Sequence, residues 1–195
     1  MLEFKNVEVA FLDKSIKASG YPTRYGEVDK DLNDSDYKRA TKLGKMSGGH
    51  DNFLKGIRVN FDVKYSAYWS MQAQRYSFFD IVSSQSKMIK IIDMANELDS
   101  VNMFNKYVDT EIIDKIINYI DLYMKADTKE SKYHYFMKII SNLPMGFEMW
   151  MNVSTNYMQL KTMYSQRSKH KLKEDWGNFI TMCNELPRFK ELTGL

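Results

Sequence analysis

The stretch NYMQLKTMYSQR, residues 156–167, decides how the C-terminal half of the chain is read. At helical spacing Val153, Tyr157, Leu160 and Tyr164 fall on one stripe, with Met163 beside it. The next position on that stripe is Arg167, and Asn156 sits at its near edge. Residues 150–166 therefore read as one core-facing helix whose apolar face carries an amide near one end and a guanidinium at the other. A charge that leaves water needs a partner, usually an anion. Either an internal acid such as Glu148 or Glu174 supplies it, or an anionic ligand does.

Composition limits the alternatives. The 195 residues suggest a single domain with room for a full core. Apolar residues at 44% and charged residues at 27% place the chain in the soluble globular class. Fourteen methionines suit irregular cores and adaptable surfaces. A net charge of +3 fits an anionic small ligand and argues against a nucleic-acid binder, which would need a denser basic and aromatic surface. With Cys183 alone there is no internal disulfide, which fits a reducing cytoplasm. His50, His134 and His170 lie far apart, so no metal site is expected. No apolar run approaches the roughly 18 residues of a membrane span, and the N-terminus has no signal-peptide core.

Outward from the opening stretch, helices dominate. Residues 87–98, 110–126 and 129–143 read as helices, the second with apolar positions Ile112, Ile116, Ile120 and Tyr123, the third ending at Leu143-Pro144. Residues 172–186 close the chain as another. Upstream, residues 35–46 form a short helix with Ser35 or Asp36 as N-cap, and residues 67–79 a further one. Strands are few. FKNVEVAFL, residues 4–12, is the first. GIRVNFDVKYS, residues 56–66, is the clearest, because Ile57, Val59, Phe61, Val63 and Tyr65 alternate with polar residues. DIVSSQS, residues 80–86, reads as a loop. The expected class is α+β, a small, mostly antiparallel sheet with several long packed helices.

Three stretches are candidates for chemistry. SGGHDNF, residues 47–53, is either a helix C-cap and loop or a turn that places His50 near a ligand. Arg75 precedes a cluster of hydroxyls and amides at Ser77, Ser83, Ser84, Gln85 and Ser86, a set able to hold a phosphate and equally a solvated loop. QRSKHKLKED, residues 166–175, is a basic run whose lysines read as solvated surface, whereas Arg167 continues an apolar stripe. No Walker-type loop, GxGxxG, GxSxG or paired-acid motif is present.

Taken in order, these stretches resemble the flavin-dependent thymidylate synthases. Against the family's GHxxPFEH the chain has GHDNFLKG, in which His50 matches the leading histidine. Against RQxxRHRxxSxNExSxRY it has MQAQRYSFFDIVSSQSKM. Gln72 and Arg75 match, Tyr76 and Ser77 replace the histidine and second arginine of RHR, and residues 83–86 lie where NExS belongs after a one-residue slip. Towards the C-terminus Leu143, Pro144, Asn156, Leu160, Arg167, His170 and Glu174 match in register, with one gap after Arg167.

The resemblance implies a homotetramer that transfers a one-carbon unit from methylenetetrahydrofolate to deoxyuridylate, with FAD delivering the hydride and NADPH reducing the flavin. It implies substrate contacts from Arg167, Gln72, Ser84, Gln85 and Ser86, and flavin contacts from His50, Arg75, Asn156 and His170, with no catalytic residue assigned. It places the protein in a bacterial, or phage-infected bacterial, cytoplasm. The loss of two RHR residues leaves a second reading, a non-catalytic descendant that binds a nucleotide or a protein partner.

Overall fold

A computed structural model describes residues 1–25, 28, 31–46, 48–93 and 100–195. Four strands, β1 (Glu3–Ala10), β2 (Arg58–Ser66), β3 (Asp80–Ser84) and β4 (Glu148–Asn156), form an antiparallel sheet in the order β1-β2-β4-β3. The helices are α1 (Leu12–Ala18), α2 (Asp34–Gly44), α3 (Ala67–Ala73), α4 (Lys87–Asp93), α5 (Thr110–Lys125), α6 (Lys129–Asn142), α7 (Tyr157–Arg167), α8 (Lys173–Glu185) and α9 (Phe189–Thr193). The fold is α+β, as the element pattern implies. Among the described residues no helix is long and apolar enough to cross a membrane.

β2 is the strand its alternation announces, although it lies inside the sheet, between β1 and β4. Its inner residues Val59, Phe61, Val63 and Tyr65 are buried and stand opposite Thr155, Val153, Met151 and Met149 of β4. The outer face is a polar ladder. Arg58 donates to Ser154 (3.0 Å), Asn60 to Asn152 (3.0 Å), and Asp62 accepts from Asn152 (2.8 Å) and Asn6 (2.7 Å). Asn6 has a φ of 51° where the β1 register shifts, a bulge that accounts for the imperfect alternation of the first strand.

The largest correction concerns residues 150–166. They are not one helix. Residues up to Asn156 belong to β4, in which Met149, Met151, Val153 and Thr155 are buried while Trp150, Asn152 and Ser154 are half-buried, the period of two of a strand. Only from Tyr157 does the backbone turn helical, so Val153 is a strand residue and not part of the α7 stripe. Residues 80–84, read as a loop, form β3, an edge strand exposed along its whole length that pairs with β4 alone.

Smaller differences have local causes. α2 is capped by Asn33, not by Ser35 or Asp36. The Asn33 side chain accepts from the Ser35 and Asp36 amides, and Asp36 returns a bond to the Asn33 N–H. The helix expected over residues 67–79 stops at Ala73. In α5 the buried line is Ile113, Ile116 and Ile120, with Ile112 on the exposed side. α6 ends at Asn142 ahead of Leu143-Pro144, as expected. Of the helix read over residues 87–98, α4 reaches Asp93, and residues 94–98 lie outside the described residues.

The core lies between the inner sheet face and the α7–α9 layer. Trp69, Trp176, Phe179, Tyr157, Leu160, Met163 and Phe189 are buried there. α2 crosses α9 so closely that a Cβ on Gly44 would lie 1.7 Å from the Leu192 carbonyl oxygen, so only glycine fits. α5 and α6 pack chiefly on each other.

Candidate functional site

α7 rises directly from the end of β4. Asn156, 3% exposed and in extended conformation, accepts a hydrogen bond from the Gln159 amide (2.9 Å) and so caps the helix. Tyr157, Leu160 and Met163 then anchor α7 in the core, and Tyr164 is half-buried beside them. This carries Arg167, the last residue of α7, to a junction with the α3–β3 connection and the start of α8.

There the guanidinium is held on three sides by neutral groups. Its Nε–H donates to the phenol oxygen of Tyr76 (2.8 Å), and its Nη1 makes a long bond to Oε1 of Gln72 (3.4 Å). Its central carbon lies 4.8 Å from the Trp176 ring centre and 5.4 Å from that of Tyr76. Because the Tyr76 hydroxyl is hydrogen-bonded to Nε, Arg167 meets Tyr76 at its oxygen edge, and Trp176 is the stacking partner. Trp176 is fixed in turn. Its Nε1–H donates to the same Gln72 oxygen (3.2 Å), and its ring packs on Trp69 at 5.3 Å and Phe179 at 5.4 Å. The indole N–H of Trp69 is buried without a hydrogen-bond partner among the described residues.

No carboxylate pairs with Arg167 among the described residues. Glu148 binds the Met1 ammonium and Lys64 (3.1 Å) instead, and Glu174 binds Lys106 (3.0 Å) and Tyr107 (2.8 Å). Neither of the acids considered as internal partners serves.

His170 sits against the edge of this cluster, its ring 6.0 Å from that of Trp176. Its Nδ1 accepts from the Leu172 amide (3.1 Å), which needs an unprotonated nitrogen there. Burial, then the charges of Arg167 and Lys171, push the imidazole pKa below its usual value.

The other candidate residues are placed as follows. Arg75 is exposed one position before Tyr76. His50 is exposed in a turn that contains Gly48 and Gly49, both at positive φ, where glycine is the natural choice. That turn is tied to α7 through Lys161, which donates to Asp51 (2.8 Å) and to the Gly44 carbonyl (2.8 Å). Ser84, Gln85 and Ser86 are at the far end of β3. Gln85 extends the ladder, exchanging bonds with the backbone of Trp150 (2.9 and 3.0 Å), and it lines a hollow of about 200 Å³ with Lys64, Lys90 and Glu148. Among the described residues no hydrogen bond joins these three to the Arg167 cluster. The structure thus gathers Gln72, Arg167 and His170. It adds Tyr76, Gln166, Trp69 and Trp176, whose place in this cluster no residue spacing announces.

No protein-family model and no curated protein matches the chain. Solved structures do. A flavin-dependent thymidylate synthase ThyX from Helicobacter pylori, complexed with FAD and dUMP, superposes with a TM-score of 0.69 at 17% identity, covering 97% of each chain. A second structure of that enzyme with FAD and dUMP gives 0.68 at 17% identity, over 99% of this chain and 97% of the other. The UMP/dUMP methylase PolB from Streptomyces cacaoi, bound with 5-Br dUMP, gives 0.63 at 12% identity, over 99% of this chain and 92% of that one. From the antiparallel sheet to the closing helices, the chain is built on the fold of the flavin-dependent thymidylate synthases.

Proposed function

We propose that this protein is a divergent member of the flavin-dependent thymidylate synthase superfamily that binds deoxyuridylate, with Arg167 and Gln72 as substrate contacts. The observation that supports this reading is the guanidinium of Arg167, half-buried and held by a phenol, an amide and an indole, with no carboxylate against it among the described residues. Such a charge is ready for an oxyanion. The whole-chain likeness to two kinds of protein solved with dUMP or 5-Br dUMP points the same way.

The finer reading is methylation of dUMP to dTMP in a cytoplasmic homotetramer, with FAD as cofactor and methylenetetrahydrofolate and NADPH as co-substrates. Arg75 and His50 are exposed donors suited to a flavin pyrophosphate, and Asn156 and His170 complete the proposed flavin set. When bound, FAD would supply the hydride. Tyr76 and Ser77 bring no positive charge to the positions next to Arg75, so several charge-assisted bonds at about 1.5–3 kcal/mol each are missing. We expect weak FAD binding and partly or wholly colourless protein. The same departure favours the second reading, a nucleotide-binding descendant without catalysis.

Calorimetric titration with dUMP, on the native protein and on Arg167→Ala, tests the core of the proposal. The expected loss is about 1.5–3 kcal/mol of binding, with a stability cost of about 1–2 kcal/mol, because no buried acid is stranded. Unchanged dUMP affinity would remove Arg167 from the site. FAD titration by fluorescence quenching, with no saturation at high micromolar FAD, would leave only the non-catalytic reading. Light scattering that reports a monomer would refute the tetramer.

A further inference from the structure

The position next to Arg75 carries a tyrosine, and its contacts give it a specific task. The phenol of Tyr76 donates its own proton to Oε1 of Gln166 (2.8 Å). That fixes the polarity of the hydroxyl, so its lone pairs are what the Arg167 Nε–H meets at 2.8 Å. One oxygen therefore binds two consecutive residues at the C-terminal end of α7. Trp176 covers one face of the guanidinium, and Gln72 makes only a long contact to Nη1. Nη2 has no hydrogen bond among the described residues.

A guanidinium can grip an oxyanion by two edges. The side edge uses Nε and one terminal nitrogen, and the end edge uses both terminal nitrogens. With Nε–H engaged by Tyr76, the side edge is closed. We propose that Tyr76 is the positioning residue of Arg167, holding Nε so that the guanidinium offers its Nη1–Nη2 end to a ligand oxyanion. Tyr76 touches no ligand itself. Any effect it has on binding passes through Arg167. This inference rests on the nucleotide reading above for the identity of the ligand, but the hold itself is a property of the free protein.

Two measurements test it. In the free protein, the ¹⁵N–¹H signal of the Arg167 Nε–H is expected to be resolved and slow to exchange. It should become fast-exchanging in Tyr76→Phe, which keeps the ring and removes only the hydroxyl. An Nε–H that exchanges equally fast in both proteins overturns the proposal. The second measurement is a double-mutant cycle read by dUMP titration. Tyr76→Phe is expected to weaken binding about fivefold, the scale of ordering one long side chain that is no longer held in advance. The Tyr76→Phe/Arg167→Ala double variant should bind no more weakly than Arg167→Ala alone. Tyr76→His, which can accept at one nitrogen and donate at the other, should recover part of the loss. Strictly additive effects, with Arg167→Ala still weakening dUMP, would overturn the positioning role and leave the nucleotide reading standing. An Arg167→Ala variant that binds dUMP as well as the native protein would remove Arg167 from the site and overturn the role of Tyr76 with it, whereas a native protein that binds no dUMP would overturn the nucleotide reading and leave the hold on Nε to the exchange measurement.

Discussion

Replacing Asn156 separates a helix cap from a ligand contact, because the structure gives its side chain a definite structural duty. Asn156 is 3% exposed, extended at φ −148° and ψ 164°, and its side-chain oxygen accepts from the buried Gln159 amide at 2.9 Å. In Asn156→Ala the cap is lost and the Gln159 N–H is left without a partner away from water. Because that donor is buried, the cost lies at the upper end of the range for a lost cap, about 2 kcal/mol, or roughly 4–8 °C in melting temperature for a chain of this size. Asn156→Ser should recover much of that by restoring an acceptor. Asn156→Asp should come out near neutral, since the attraction of a carboxylate to the N-terminus of α7 is set against its burial. Differential scanning calorimetry on the four proteins gives the stability series, and titration with FAD and dUMP gives the affinities. If the amide acts only as a cap, the affinities hold while stability follows the order Asn, Ser, Ala. A variant Asn156→Ala within 0.5 kcal/mol of native stability, roughly the scatter of an inert surface change, but with much weaker FAD binding, would refute the capping argument.

Two further expectations concern charge. Asp36, 1% exposed, binds Arg24 and Arg39, and although burial works to raise its pKa, the hydrogen bonds from Arg39 and Asn33 and the two arginine charges together hold it below the usual value. The unfolded chain therefore takes up this proton first as pH falls, so the contribution is intact above about pH 4 and is lost below it. Urea titrations of native protein and Asp36→Asn should differ by about 3 kcal/mol at pH 7, and the gap should narrow as pH falls below about 4; a gap that does not change with pH would contradict this. His170, whose pKa is lowered by burial and then by Arg167 and Lys171, has the depressed folded value that makes stability rise with pH. Its unfolded form binds a proton near pH 6.5 that the folded form resists, so stability should fall as pH drops below that value. Melting curves of His170→Asn between pH 5 and 8 should be flatter than those of the native protein. Parallel curves would show that His170 titrates normally.

Elements whose two faces differ could be read from the sequence. β2 has one packed and one polar face, and each position of its alternation survives in the burial of Val59, Phe61, Val63 and Tyr65. β4 hid for two reasons. Trp150 places a large aromatic on the outer, polar side, which blurs the alternation, and neither glycine nor proline separates the strand from α7. The sole punctuation is Asn156, which ends one element and caps the next, so a periodicity of 3.6 can be laid across the junction from Val153 to Tyr164. β3 hid because it has no buried face. An edge strand exposed along its whole length leaves no pattern for hydrophobicity to show. The cap of α2 was displaced because Asn33, Asp34, Ser35 and Asp36 are all acceptable caps, and only backbone geometry selects among them.

The partner of Arg167 lay further beyond local reading. Tyr76 is 91 residues away and Gln72 is 95, so no periodicity connects them. The expectation that a half-buried arginine must meet a full negative charge also assumed that only an anion can make burial tolerable. Here several partial charges do it together. The oxygens of Tyr76 and Gln72 and the face of Trp176 each present negative potential without a net charge. Arg167 also ends α7, where the unpaired carbonyls of the last turn favour a cation. An acid at this place would stabilise the free protein and would then have to be displaced, or repel, when an oxyanion arrived. Neutral holders keep the guanidinium in position and leave its charge uncancelled. His170, held towards its neutral form, accepts from the Leu172 amide and adds no second charge. The cluster therefore holds one cation in place, backed by aromatic rings and left unpaired by any carboxylate among the described residues. On the proposed reading, such an arrangement suits a single phosphate or carbonyl oxygen better than a long polyanion, in keeping with the weak overall charge of +3.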